Sequence, residues 1–146
     1  MIVLDTTVLV YAVGAAHDLR EPCHRMIRAI GNGRLAATTT TEVIQEFTHI
    51  RARRRGRDDA VRVAASFVDL LSPLICPDGD DLRAGLDLFA TNENLGSFDA
   101  VLLATARRHD HVDAIVSADR AFGAVTGIAH VDPSDRGAVD RLVGAT

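Results

Sequence analysis

Lysine is absent: all sixteen basic residues are arginine. This excludes a Walker lysine, a Schiff-base lysine and a lysine general base. A GC-rich coding sequence is enough to produce the bias. Tryptophan is also absent, and one Tyr and five Phe are the only other large aromatics. So few rings argue against the broad base-stacking platforms of single-strand binders. The two cysteines, Cys23 and Cys76, lack metal-ligand spacing and a secretory context. They read as small core or edge residues in a reducing cytosol. No apolar run is long enough to span a bilayer, and Met1 opens directly into a strand pattern, leaving no room for a targeting peptide. The net charge of -4 argues against a broad nucleic-acid coat but leaves a local basic patch open.

What is present fits one soluble globular domain spanning 1–146, long enough for a sizeable core. The first stretch organises the rest. Met1 to Leu4 is an apolar run that ends in Asp5. Such a run reads as a buried central strand, and Asp5 then sits at its carboxyl end, where open parallel sheets form their ligand crevice. A charge there is desolvated unless something pairs with it.

A short helix or turn follows over Val8 to Gly14. Asp18 is expected to cap a helix running to about Ile30, stopped by Gly31-Asn32-Gly33. Leu35 to Ala37 reads as a second strand. Thr38 to Thr41 offer hydroxyl caps for a helix through Val43, Ile44, Phe47 and Ile50. That helix closes in the arginine run Arg51 to Arg57, with Gly56 as its stop. Asp58-Asp59 opens another helix to about Leu71. Leu74 to Cys76 reads as a third strand, and Asp80 to Phe89 as a helix. Thr91 to Ser97 is a loop, and Phe98 to His109 a helix. Strands at Ala114 to Val116 and Ile128 to Val131 precede a tail with a short amphipathic helix. Alternating strands and helices predict an α/β sandwich around a mainly parallel five-stranded sheet.

Four acidic residues fall where this pattern puts one rim of the sheet. Asp5 ends the first strand. Glu46, or Glu42 one turn earlier, lies on the helix after the second. Asp99 opens the helix after the polar loop, and Asp119 follows the fourth strand. Each alone could be a helix cap. Together they raise an electrostatic problem, because two carboxylates ~4 Å apart repel by roughly 4 kcal/mol at an effective dielectric near 20. A hard divalent cation with oxygen ligands reverses that sign and can activate water beside a phosphate. The arginine run offers either a phosphate-tracking surface or a solvated helix end paired with Asp58 and Asp59. His109-Asp110-His111 reads as a polar helix end.

The segments Asp5-Thr6-Thr7-Val8-Leu9, Val43-Ile44-Gln45-Glu46-Phe47, Phe98-Asp99-Ala100-Val101-Leu102-Leu103-Ala104-Thr105-Ala106 and Ser117-Ala118-Asp119-Arg120-Ala121-Phe122 together resemble PIN domains. More closely, they resemble the ribonuclease toxins of VapBC toxin–antitoxin systems, in the family's order and over nearly the whole chain. The resemblance implies a three-layer α/β/α sandwich and Mg²⁺- or Mn²⁺-dependent cleavage of RNA phosphodiester bonds in the cytoplasm. It implies a cognate VapB-like antitoxin that inhibits the enzyme, a homodimer and a toxin–antitoxin hetero-oligomer. By motif position Asp5, Glu46, Asp99 and Asp119 correspond to the acidic catalytic quartet, with Asp5 and Asp99 as leading metal ligands. Glu42 is the alternative to Glu46. Thr6 and Ser117 match the small polar residues flanking the metal, Ser117 standing where the family often has Thr. If the arginine run is a phosphate-tracking surface rather than a solvated helix end, Arg51, Arg53 and Arg54 are its candidates to contact RNA, whose shape and exposed loops would guide selection. Two other enzyme classes that begin with a strand ending in Asp fit poorly. Haloacid-dehalogenase phosphatases need a second Asp at the position of Thr7 and a later Lys, and receiver domains need an acidic pair and a late Lys.

Overall fold

The computed structural model describes residues 1–144. A parallel sheet of four strands lies at the centre, in the order β2-β1-β3-β4. They are β1 (Ile2–Leu4), β2 (Ala37–Thr38), β3 (Ala114–Val116) and β4 (Ala129–Val131). Every residue of β1 and β3 is buried. Side chains alternate between the two faces of a strand, so both faces of the sheet centre are covered, and the architecture is three-layered. The covering helices are α1 (Thr6–Ala12), α2 (Arg20–Gly31), α3 (Thr41–Arg55), α4 (Arg57–Leu71), α5 (Gly79–Thr91), α6 (Ser97–Arg108) and α7 (Arg136–Val143). A 3₁₀ turn spans Arg120–Ala124.

The expected fifth strand at Leu74 to Cys76 does not form. It is reduced to one parallel bridge between Thr40 and Ile75, made by Ile75 N–H to the Thr39 carbonyl (2.9 Å) and Thr41 N–H to the Ile75 carbonyl (3.0 Å). Pro73 and Pro77 bracket the segment, and proline has no N–H to extend a ladder. The start of α2 also differs. Its N-cap is Leu19, with no side-chain cap. The nearby imidazole of His17, rather than Asp18, accepts the Leu19 N–H at 3.1 Å.

Other boundaries follow local chemistry. Thr40 caps α3 by accepting the Val43 N–H at 3.3 Å. Gly56 ends it at φ +88°, a conformation that disfavours any residue with a Cβ, and α4 starts at the next residue. Arg51 closes this corner. It is bonded to Asp59 at 2.5 Å and to the Val13 carbonyl at 2.9 Å, which ties α3 to α4 and to the end of α1. The Asp59 carboxyl is held below its usual range, first by that hydrogen bond. Cys23 is buried and Cys76 exposed; burial pushes the Cys23 thiol up to about 12.

Helices α5 and α6 pack in unusually close approach. A Cβ built on the buried Gly85 would stand 2.6 Å from Val101 Cα and Cγ2. Gly85→Ala must therefore push the two helices apart. Overpacking of this kind costs ~1–3 kcal/mol, and the better helix propensity of Ala returns at most ~1 kcal/mol. Thermal unfolding of this variant is expected to fall by roughly 5 °C; an unchanged midpoint would mean the helices tolerate wider spacing.

Candidate metal centre

Parallel pairing decides where the first and fourth acidic residues emerge. Leu4 of β1 is in register with Val116 of β3, so Asp5 and Ser117 leave the sheet side by side. The Asp5 N–H donates to the Val116 carbonyl at 2.9 Å, and Asp5 itself is only 3% exposed. Its carboxylate is held by hydroxyls: Thr7 Oγ1 and Ser117 Oγ each donate to Oδ2 at 2.7 Å. Two backbone donors lock these hydroxyls in turn. The Ala118 N–H donates to Thr7 Oγ1 and the Asp119 N–H to Ser117 Oγ, both at 3.0 Å. With both hydroxyl hydrogens aimed at Asp5, the network orients an anion without neutralising it.

The remaining acids arrive from other elements. Glu46, on the middle of α3, accepts a hydrogen bond from the buried hydroxyl of Thr6. Asp119 is exposed at the mouth, where its Oδ1 accepts the Ala121 N–H at 2.8 Å and starts the 3₁₀ turn. Asp5 likewise serves as the N-cap of α1, so capping and a place at the rim coexist in both. Asp99 differs: it lies in the first turn of α6, whose N-cap is Gly96 without a side-chain bond.

Asp5, Glu46, Asp99 and Asp119 line one open cavity of about 350 Å³, together with Tyr11 and Arg54. Their charges act on one another. The Asp99 carboxyl is pushed up to about 7, first by burial and then by the negative charges of Asp5, Asp119 and Glu46. A helix N-terminus normally favours a carboxylate, so the neighbouring charges and desolvation outweigh that dipole here. Among the described residues, no three His, Cys, Asp or Glu side chains converge into a ready-made ion cage. The donor set nevertheless fits Mg²⁺ or Mn²⁺. All four groups are hard oxygen donors, and Mg²⁺ usually takes one or two carboxylates directly and keeps several waters.

Glu42 does not share this cavity. It accepts the Thr41 hydroxyl at 3.0 Å and lines a different groove with Pro77, Leu82 and Phe98. Of the arginines, Arg51 is engaged with Asp59, Arg53 is exposed, and Arg54 reaches the rim of the acidic cavity. Sequence reasoning did not assign Thr7 a place in the site. Its signal was the Asp-x-Thr spacing at a strand end, where a hydroxyl two residues on can return to the carboxylate. His109 and His111 stand edge to face at the end of α6, 5.7 Å between ring centroids, outside the acidic cavity.

A parallel α/β sheet with acidic side chains at its carboxyl rim is the plan of the PIN domains, and a family model described as PIN domain matches residues 2–128. The chain is 48% identical over 143 residues to Ribonuclease VapC7 of Mycobacterium tuberculosis, covering 97% of this chain and 98% of that one. It therefore belongs to the VapC ribonuclease branch of the PIN-domain family. VapC ribonuclease Mb1869c of Mycobacterium bovis is 24% identical over 128 residues, covering 88% of this chain and 97% of that protein. The crystal structure of Mycobacterium tuberculosis VapC20, described as a sarcin-ricin loop cleaving toxin, superposes with a TM-score of 0.72 at 17% identity. The match covers 88% of this chain and 97% of that one, and at that identity it bears on the fold alone.

Proposed function

We propose that the chain is a divalent-metal-dependent endoribonuclease, the toxin of a type II toxin–antitoxin pair, in which Asp5, Glu46, Asp99 and Asp119 form the catalytic set. One observation carries this reading: four carboxylates from four separated stretches line one cavity, where burial first, and then the charges of the other three, raise the proton affinity of Asp99. Asp5 and Asp99 would hold Mg²⁺ or Mn²⁺, with Glu46 and Asp119 joining directly or through water. When bound, the ion supplies Lewis-acid stabilisation of phosphate oxygens and acidifies a water.

The chain's own groups do the rest. Thr7 and Ser117 fix the direction of the Asp5 carboxylate, and Thr6 fixes Glu46. A carboxylate of the set accepts the proton of the attacking water. In-line attack of the resulting hydroxide on phosphorus breaks the P–O3′ bond and expels the 3′-oxygen, which takes up a proton from solvent, leaving a 3′-hydroxyl and a 5′-phosphate. Arg54, at the rim, is placed to meet the substrate's phosphates. A cognate VapB-like antitoxin, homodimerisation and action in the cytoplasm belong to the same reading. Among the described residues no helix is long and apolar enough to cross a membrane.

The test is the chemistry of the ends. RNA cut by the purified chain in Mg²⁺ is expected to carry 5′-phosphates and 3′-hydroxyls, with no cutting in EDTA. Products ending in 2′,3′-cyclic phosphate, or cutting unaffected by chelation, would overturn the mechanism.

A further inference from the structure

A second cavity of about 290 Å³ lies against the acidic one. The two share Val10, Ile50 and Arg54 in their walls. Its accessible lining is apolar at Val10, Val13, Ala15 and Ile50 and cationic at Arg51, Arg54 and Arg55, with no acidic residue. Arg51 is held by Asp59 and the Val13 carbonyl. Arg54 and Arg55 are exposed and make no ion pair among the described residues. Two unpaired guanidiniums thus border an apolar pocket beside a cluster of carboxylates. Neither is close enough to those carboxylates to form a salt bridge, so their charge remains available to an incoming anion.

We propose that this cavity is a nucleotide subsite: it takes one unpaired base of the RNA, adjacent to the bond that is cut, with that nucleotide's phosphate on Arg54 and Arg55. The proposal rests on the ribonuclease reading and deepens it. Size supports it, since 290 Å³ holds about ten waters at ~30 Å³ each, more than enough room for the fused ring system of one purine. Charge supports it as well. An anionic strand entering the acidic cavity needs cations at its edge, and Arg54 lies on the wall common to both cavities. An apolar wall with a cationic rim accepts a base face and a phosphate together. The subsite therefore selects unpaired RNA at the cut and is tolerant of base identity, because no side chain other than the arginines offers a polar edge.

The test uses the full chain and a short RNA spanning a mapped cut, synthesised with a single abasic nucleotide at each successive position. Wild type is expected to lose roughly ten-fold in kcat/KM at one abasic position next to the cut, the scale of losing one small apolar contact surface, and little elsewhere. Ala15→Leu fills the cavity from an exposed position and should unfold at the wild-type temperature. It should cleave intact RNA at the reduced rate, and the abasic position should then cost nothing further. Arg54→Gln should lower the salt slope of KM by about one phosphate contact. A flat abasic scan, or Ala15→Leu cleaving like wild type, overturns the subsite while leaving the nuclease intact. Loss of antitoxin binding by Ala15→Leu with unchanged cleavage overturns it too and assigns the cavity to the protein partner. Failure of wild type to cut any RNA removes the ribonuclease reading and this proposal with it.

Discussion

Asp99→Asn is expected to abolish RNA cleavage, by roughly 10³-fold or more, while making the metal-free protein more stable at pH 8. Both effects come from one cause. Burial and the charges of Asp5, Asp119 and Glu46 raise the Asp99 carboxyl from 3.8 to about 7. Between about pH 4 and pH 7 the folded chain therefore holds a proton that the unfolded chain has released. Stability from this group is full below about pH 4 and is lost as pH rises toward 7. Above that, the folded state carries an unfavourable charge that Asn removes. At ~1.4 kcal/mol per pH unit the ceiling is ~4 kcal/mol, and partial solvent screening leaves on the order of 2 kcal/mol. Thermal unfolding in EDTA at pH 8 should thus rise by roughly 5 °C in the variant, with the gain gone near pH 4. A destabilised variant at pH 8 would mean that Asp99 serves the fold rather than a site held under strain.

Magnesium is expected to stabilise the wild-type chain at neutral pH. An ion that binds only the folded state at about a hundred times its dissociation constant adds ~2.7 kcal/mol, or roughly 8 °C for a domain of this size. EDTA should reverse the gain, and Glu46→Gln should reduce it. Near pH 5 the gain should shrink, because protons compete with the ion for Asp99. Scanning unfolding at graded Mg²⁺ measures this directly. A gain that is independent of pH and of Glu46 would place the ion elsewhere on the surface.

Much of this architecture is legible in the residues. Ala114 to Val116 is read to the residue, because a short buried parallel strand is a continuous apolar run. The parallel direction of β1 and β3 follows from their separation by helices, and it explains why Asp5 and Asp119 leave the sheet on one rim. Thr40 and Gly56 bound α3 through local chemistry that needs no tertiary information. Other features depend on contacts between distant segments. Leu74 to Cys76 has the composition of a strand, yet the prolines on either side reduce it to one bridge at Ile75. Nothing local distinguishes Arg51, which binds Asp59, from Arg54, which reaches the acidic cavity. The close approach of α5 to α6 is visible only once Gly85 meets Val101. How strongly Asp99 senses its neighbours is likewise a matter of distance and burial, which spacing along the chain does not supply.

The most direct test of the shared carboxylate pocket is calorimetric titration of the full chain with Mn²⁺ near pH 6, repeated in buffers of different ionisation enthalpy. With the Asp99 carboxyl near 7, one bound ion should release close to one proton, and Asp99→Asn should release almost none. Binding without proton release, or no binding by a chain that still cuts RNA in EDTA, would contradict the account.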